Sequence, residues 1–417
     1  MKLRPAPKKS KQLVYLDHAA TTPVDLSVVK TMAPYWTKEF GNPSSLYKLG
    51  RVAHTAITQA RQTIAEILNA QAKEIVFTAG GTESANLAIF GVARAYLKQH
   101  KKPGHIITTT IEHHAVLRAC EQLAEEGWSV SYIPVSKEGI VDLKQLKAAV
   151  QANTALVSIM YANNEMGAIQ PITEVGKWLK HSINPERHQK KLSPIYFHSD
   201  ACQAAGSLDL NVQKLGIDLL TINASKIYGP KQMGALYVRS GTPLTPLVVG
   251  GGQEFDYRSG TENTAGIVGF ATALELAEKL RTKETKRLLA LQHWFITAIK
   301  KSFPAATING PMNDAAHTDN NLKRLPNNIN VTFPDVEGEA LLLYLDGFNI
   351  AASTGSACAA TSTDPSHVML ALGLSPEEAS SSIRFTMGRT TTKAELVYTV
   401  KVLEHLVPML SQVQKLS

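Results

Sequence analysis

The 417-residue sequence is poor in cysteine, in long apolar runs and in acidic side chains, and each shortage narrows what it can be. Three cysteines, Cys120, Cys202 and Cys358, supply neither a disulfide framework nor the paired spacing of a metal site. Free thiols, no metal and a reducing, cytoplasmic setting are therefore expected. No apolar run approaches the roughly 20 residues that cross a bilayer, so no membrane partner is expected. Asp and Glu number 35 against 43 Lys and Arg, for a net charge of +8. The basic residues are scattered without interleaved aromatics, so the excess reads as a solubility feature, and no direct nucleic-acid binding is expected. The opening stretch, Met1 to Lys11, holds five basic residues, no acid and no apolar core, which reads as a solvated tail and not a secretory signal.

What is present is the composition of a soluble globular protein, 44% apolar and 19% charged, in a chain too long for one ordinary core. Short apolar runs at 74–78, 105–109, 130–135, 155–160, 195–197, 219–222 and 234–238 read as strands. Helical spacing fills much of the chain between them, as at 51–68, 84–96 and 142–150, and a long helical stretch at 265–300 leads towards a second domain. This alternation predicts an α/β fold with a mostly parallel sheet covered on both faces. The polar, basic segment 181–194 breaks the rhythm and reads as a surface insertion.

Polar residues fall just after the strands: Thr82, His113, Asn164, Asp200 and Lys226. Open α/β sheets bind ligands along the shared carboxyl edge of their strands, so five such positions suggest one site. Gly80-Gly81-Thr82 suits an anion seat at a helix start, or an ordinary cap at Thr82. Lys226, delivered by an apolar run and followed by Gly229-Pro230, is either a surface lysine or a Schiff-base lysine, which needs a partly desolvated amine. Cys358 stands in a run of small residues, 352–363, that cannot anchor itself by burial, which favours a reactive thiol over a core one. Arg384 and Arg389 can fork a carboxylate or face water.

In order, Gly80-Gly81-Thr82-Glu83-Ser84, Glu112-His113-His114, Asn163-Asn164-Glu165, Asp200-Ala201-Cys202-Gln203, Lys226-Ile227-Tyr228-Gly229-Pro230-Lys231, Arg258-Ser259-Gly260-Thr261 and Gly355-Ser356-Ala357-Cys358 resemble the motifs of the cysteine desulfurases. These form the NifS/IscS group of the class-V aminotransferase family, fold-type I enzymes that use pyridoxal 5′-phosphate. The resemblance runs from about Tyr15 to beyond Thr392. It implies a mixed, mostly parallel sheet sandwiched by helices with a smaller α+β domain: a tail and arm at 1–26, a large cofactor-binding domain at 27–270, and a small domain at 271–417 carrying Cys358. It implies that Lys226 forms the Schiff base and shuttles the Cα proton, Asp200 keeps the pyridine nitrogen protonated, and His113 stacks on the ring. Gln203 and Asn164 are implied to bond the ring oxygen or its surroundings, and Asn42, Asn164 and Arg384 to receive the substrate carboxylate. Gly81 and Thr82 are implied to hold the phosphate, joined by Thr261 from the other subunit of a homodimer. L-Cysteine is the implied substrate, Cys358 the persulfide carrier, and an iron–sulfur scaffold or thiolation protein the acceptor. The chain departs from the family at two phosphate contacts, where Asn223 and Ser225 replace the usual Ser and His. Ser225 donates a hydrogen bond but supplies no cation.

Overall fold

Apolar runs and amphipathic stretches alternate to build a central seven-stranded sheet in the computed structural model, which describes residues 5–313, 321–355 and 364–414. After a two-residue strand β1 (Val14–Tyr15), the strands of this sheet are β2 (Ile75–Thr78), β3 (His105–Thr109), β4 (Ser129–Ile133), β5 (Thr154–Ser158), β6 (Tyr196–Asp200), β7 (Leu219–Asn223) and β8 (Gly234–Val238). Their spatial order is β2-β8-β7-β6-β5-β3-β4. Only β8 runs against its neighbours, β2 and β7. The carboxyl ends of β2, β3, β5, β6 and β7 therefore share one edge.

The strands read as near-continuous apolar runs because both faces are covered. Successive side chains alternate between two cores, as the twofold period of a strand requires. On one face Phe77, Ile107, Val157, Phe197 and Leu220 pack together, and on the other Val76, Ile106, Leu156, Leu219 and Leu236. A second, antiparallel sheet is formed by β9 (Thr307–Asn309), β10 (Asn328–Thr332) and β12 (Ser382–Thr386), in the order β12-β10-β9. The strand between them in sequence, β11 (Ile350–Ala351), pairs with β1 in parallel, which ties the amino-terminal arm to this smaller unit. Phe295, Phe333, Phe385 and Leu403 lie in its core.

One 39-residue helix, Thr264–Ser302, serves both cores. Its first half buries Ile267, Phe270 and Leu274 against the large sheet, and its second half buries Leu288, Phe295 and Ile299 in the small core. The division expected at 270/271 falls inside this helix.

The basic segment after residue 180 differs from the surface insertion expected of it. Leu179–Ile183 forms a wide helical turn that runs into the helix Asn184–Gln189. Arg187 is buried, donating to the carbonyls of Gln151, Ala152, Thr154 and Ser193 at 2.7–3.0 Å. A guanidinium carries five donors, so one arginine satisfies four backbone acceptors that would otherwise be buried unpaired. The segment is a brace for the start of β5.

Candidate active site

A cavity of about 280 Å³ opens on the shared carboxyl edge and is lined by Gly81, Thr82, His113, Asn164, Asp200, Gln203, Asn223, Ser225, Lys226 and Arg384. Nine of these ten positions converge because their strands are parallel and end together, and Arg384 joins them from the small sheet.

At the end of β2 the chain turns through Gly80, whose φ of +126° a side chain would strain. Gly80 is the cap of the helix Gly81–His100. Thr82 therefore lies inside the first turn, not at the cap position that was its ordinary alternative. The amide groups and dipole of this helix start face the cavity, as an anion site requires. A Cβ on residue 81 would stand 2.8 Å from Cys202 Sγ and 3.2 Å from Asn223 Nδ2, so only glycine leaves this cradle open.

Asp200 closes β6, is 8% exposed, and accepts a hydrogen bond from the Cys202 amide at 2.9 Å. Two residues earlier on the same strand, His198 sits between Ser158 Oγ (2.8 Å) and Thr221 Oγ1 (3.0 Å). Burial pushes its imidazole down to about 4, so it stays neutral beside Asp200. Lys226 follows β7 in a turn that the amino-terminal arm grips: Thr22 donates through its amide and hydroxyl to Ser225 O (2.9 and 3.0 Å), and its hydroxyl accepts from the Tyr228 amide (2.8 Å). The Lys226 amine donates to the carbonyl of Ala20 in the same arm. Gln203 Nε2 donates to Ala19 O at 3.0 Å.

His113 caps the helix His114–Glu125, its Nδ1 accepting from the Ala115 amide at 3.1 Å, which leaves Nε2 as the protonated nitrogen of the neutral ring. Arg384 arrives from β12 in the small sheet. It is 1% exposed and donates to Asn164 O at 3.0 Å and to Asp17 Oδ1 at 2.7 Å. Its buried Nε has no partner among the described residues.

Asn42 and Thr261 do not join the cavity. Both are exposed, and Asn42 Oδ1 accepts from the Ser44 amide at 3.0 Å. Cys358 lies outside the described residues. Among the described residues no cluster of three or more His, Cys, Asp or Glu side chains suits a metal ion, and no helix is long and apolar enough to cross a membrane.

Three carboxylates near the site, Glu112 and Glu165 buried and Asp17 half-buried, were not singled out from the sequence, because burial of an acid follows no periodicity. Asp17 pairs with Arg384, Glu165 follows Asn164, and Glu112 precedes His113. Glu112 Oε1 accepts from Thr109 Oγ1 (2.7 Å) and the Met160 amide (2.9 Å), joining the ends of β3 and β5. Burial pushes its carboxyl from the ordinary 4.5 up to about 8. The folded chain then holds a proton that the unfolded chain releases, and stability from this group falls as pH rises from 4.5 to about 8. Glu112→Gln, which mimics the neutral acid, is expected to be more stable than the parent by about 4 kcal/mol at pH 7.5 and by nothing measurable at pH 4. Urea unfolding at the two pH values checks this.

A fold of this topology, with a lysine, an aspartate and a helix start sharing the sheet's carboxyl edge, defines a class that the comparisons identify. The family model described as Aminotransferase class-V matches residues 14–398. The cysteine desulfurase IscS of Dictyoglomus turgidum is 48% identical over 400 residues, covering 96% of each chain. Among solved structures, a NifS-like protein superposes with a TM-score of 0.84 at 34% identity, covering 96% of this chain and 100% of its own. SspA in complex with cysteine superposes with a TM-score of 0.73 at 36% identity, covering 90% of this chain and 98% of its own. The chain belongs to the class-V aminotransferase family, with the fold-type I architecture of pyridoxal-phosphate enzymes, and within that family to the cysteine desulfurases of the NifS/IscS group. Membership implies pyridoxal phosphate as cofactor.

Proposed function

We propose that the cavity binds pyridoxal 5′-phosphate at Lys226 and takes sulfur from L-cysteine, leaving a persulfide on Cys358 for transfer to an iron–sulfur scaffold or a thiolation protein. The observation that carries this reading is the single cavity onto which the Lys226 amine, the Asp200 carboxylate and the helix start at Gly81 all open.

The donor set suits that cofactor. The open cradle at Gly81, with the hydroxyls of Thr82 and Ser225, the Asn223 amide and the helix dipole, is matched to a phosphate. No His or Arg joins it, so the phosphate is held with less positive charge than a cationic donor at position 225 would give. Asp200 favours a protonated pyridine nitrogen across the cavity, and its neutral neighbour His198 does not compete for that charge. His113 would stack on the ring and Gln203 would bond near the ring oxygen. The bound cofactor supplies an electron sink for charge that develops at the substrate Cα.

Arg384, with Asn164 beside it, receives the substrate carboxylate, and Lys226 moves the Cα proton. The Cys358 thiolate then forms an S–S bond to the substrate sulfur as the substrate Cβ–S bond breaks. The bonding pair stays with carbon, which takes up a proton, so cysteine plus the Cys358 thiol becomes alanine plus the Cys358 persulfide. The exposed positions of Thr261 and Asn42 support a homodimer in which Thr261 enters the second subunit's site. Phe40, Leu46, Tyr47 and Val249, large and exposed, accompany them in the same segments. A chain with three cysteines and no disulfide framework suits the cytoplasm, where such a persulfide is handed on.

Incubation with L-cysteine and excess thiol reductant is expected to yield alanine and sulfide in equal amounts. A keto acid in place of alanine would overturn the reading. Arg384→Ala is expected to raise KM for L-cysteine about 10- to 100-fold, the worth of a lost hydrogen bond to a charged group. Steady-state kinetics at matched cofactor content measure it.

A further inference from the structure

The segment bearing Cys358 lies outside the described residues, but the chain entering and leaving it is described, and both ends meet one buried carboxylate. Glu165 is 1% exposed and follows Asn164 in the loop after β5. On the outgoing side, Ser366 Oγ donates to Glu165 Oε2 at 2.5 Å. On the incoming side, Gly355 passes so close over the same oxygen that a Cβ there would stand 2.6 Å from it, and its φ of +151° is one that side chains rarely adopt. The backbone of Glu165 is itself fixed, its amide donating to Asn163 Oδ1 at 2.8 Å and its carbonyl accepting from Asn330 Nδ2 at 3.4 Å. A further tie sits one residue beyond Ser366, where His367 Nε2 lies 3.0 Å from Glu112 O, beside His113.

Burying a carboxylate is costly, and here no cation within hydrogen-bond reach compensates among the described contacts. The group bonds Ser366 on the outgoing stem and lies directly against Gly355 on the incoming one, in the loop whose Asn164 carbonyl receives Arg384. We propose that Glu165 is a positioning residue for sulfur transfer, its carboxylate tying the outgoing stem of the Cys358 segment, through Ser366, to the loop that borders the substrate site and giving the incoming stem at Gly355 a surface to pack on. The inference rests on Cys358 being the sulfur acceptor. It assigns Glu165 no contact with substrate or cofactor. It acts through where Cys358 starts from, and a displacement of about 1 Å in a reacting group can cost about 100-fold in rate.

The test compares Glu165→Ala, Glu165→Gln and Ser366→Ala with the parent holoenzyme. Two readouts are taken: the spectral change on binding L-alanine, and the single-turnover rate of persulfide formation on Cys358 from L-cysteine, followed by mass spectrometry. Glu165→Ala and Ser366→Ala are expected to bind L-alanine within about twofold of the parent while forming persulfide about 10- to 100-fold more slowly. Glu165→Gln, whose amide oxygen still accepts from Ser366, is expected to recover most of the rate. Parent-like persulfide rates in both Glu165→Ala and Ser366→Ala would overturn the proposal. So would a loss of L-alanine binding that parallels the loss of rate, which is the signature of general structural damage. Absence of persulfide on Cys358 in the parent would instead remove the acceptor reading, and this proposal with it.

Discussion

Lys226→Ala is expected to lower alanine formation from L-cysteine by about 10³-fold or more and to abolish the visible absorbance of covalently held cofactor. Acid–base catalysis by one positioned group contributes about 10²- to 10⁴-fold, and Lys226 has the additional task of tethering the cofactor. The substitution is informative because the turn does not depend on the amine. Its backbone is held by Thr22, through Ser225 O and the Tyr228 amide, and by the Gly229 amide donating to Ala224 O at 2.9 Å. Removal of the side chain costs its bond to Ala20 O, worth about 1.5–3 kcal/mol for a charged donor, and leaves those backbone bonds in place, so the fold is expected to be retained. Loss of activity with the fold retained, and partial return of alanine formation on adding a small primary amine, would assign the loss to chemistry.

Cys358→Ser is expected to lower sulfur release from L-cysteine by about 10³-fold while leaving the earlier steps intact. The thiolate is the nucleophile in such chemistry, and a serine hydroxyl is neither ionised near neutral pH nor able to carry a persulfide. Cys202 lines the same cavity and Cys120 does not, but neither supplies a thiolate. Cys120 and Cys202 are buried, and burial pushes the first to about 12 and the second well above its ordinary value, so both remain thiols. The two substitutions divide the reaction. Cys358→Ser is expected to keep exchanging the Cα hydrogen of L-alanine with solvent, because Lys226 is present, whereas Lys226→Ala is expected to lose that exchange. Deuterium incorporation followed by NMR distinguishes them.

Much of this site is legible in the sequence because one physical rule creates it. Parallel strands must end on a common edge, so Thr82, His113, Asn164, Asp200 and Lys226, each following an apolar run, had to meet if the strands were parallel. What the sequence hides are long-range contacts without a period. The arm residues Ala20 and Thr22 grip the Lys226 turn across more than 200 residues. Arg187 sits in a segment whose composition reads as solvated, yet four of its five donors are spent on partly or fully buried carbonyls. Glu112 and Glu165 are buried acids and Asp17 a half-buried one, each held by partners brought from elsewhere in the chain. Thr82 shows the limit of local rules: a hydroxyl directly after a glycine pair reads as a cap, but the positive φ at Gly80 puts the cap two positions earlier.

Sulfur transfer through Cys358 is the claim on which the rest depends, and the most direct measurement is mass spectrometry of the intact holoenzyme and its proteolytic peptides after brief incubation with L-cysteine. The account predicts that the peptide containing Cys358 gains the mass of one sulfur atom, that the gain is reversed by reductant, and that it is absent in Lys226→Ala. Formation of alanine with no added sulfur on Cys358, or with the added sulfur on Cys120 or Cys202 instead, would contradict it.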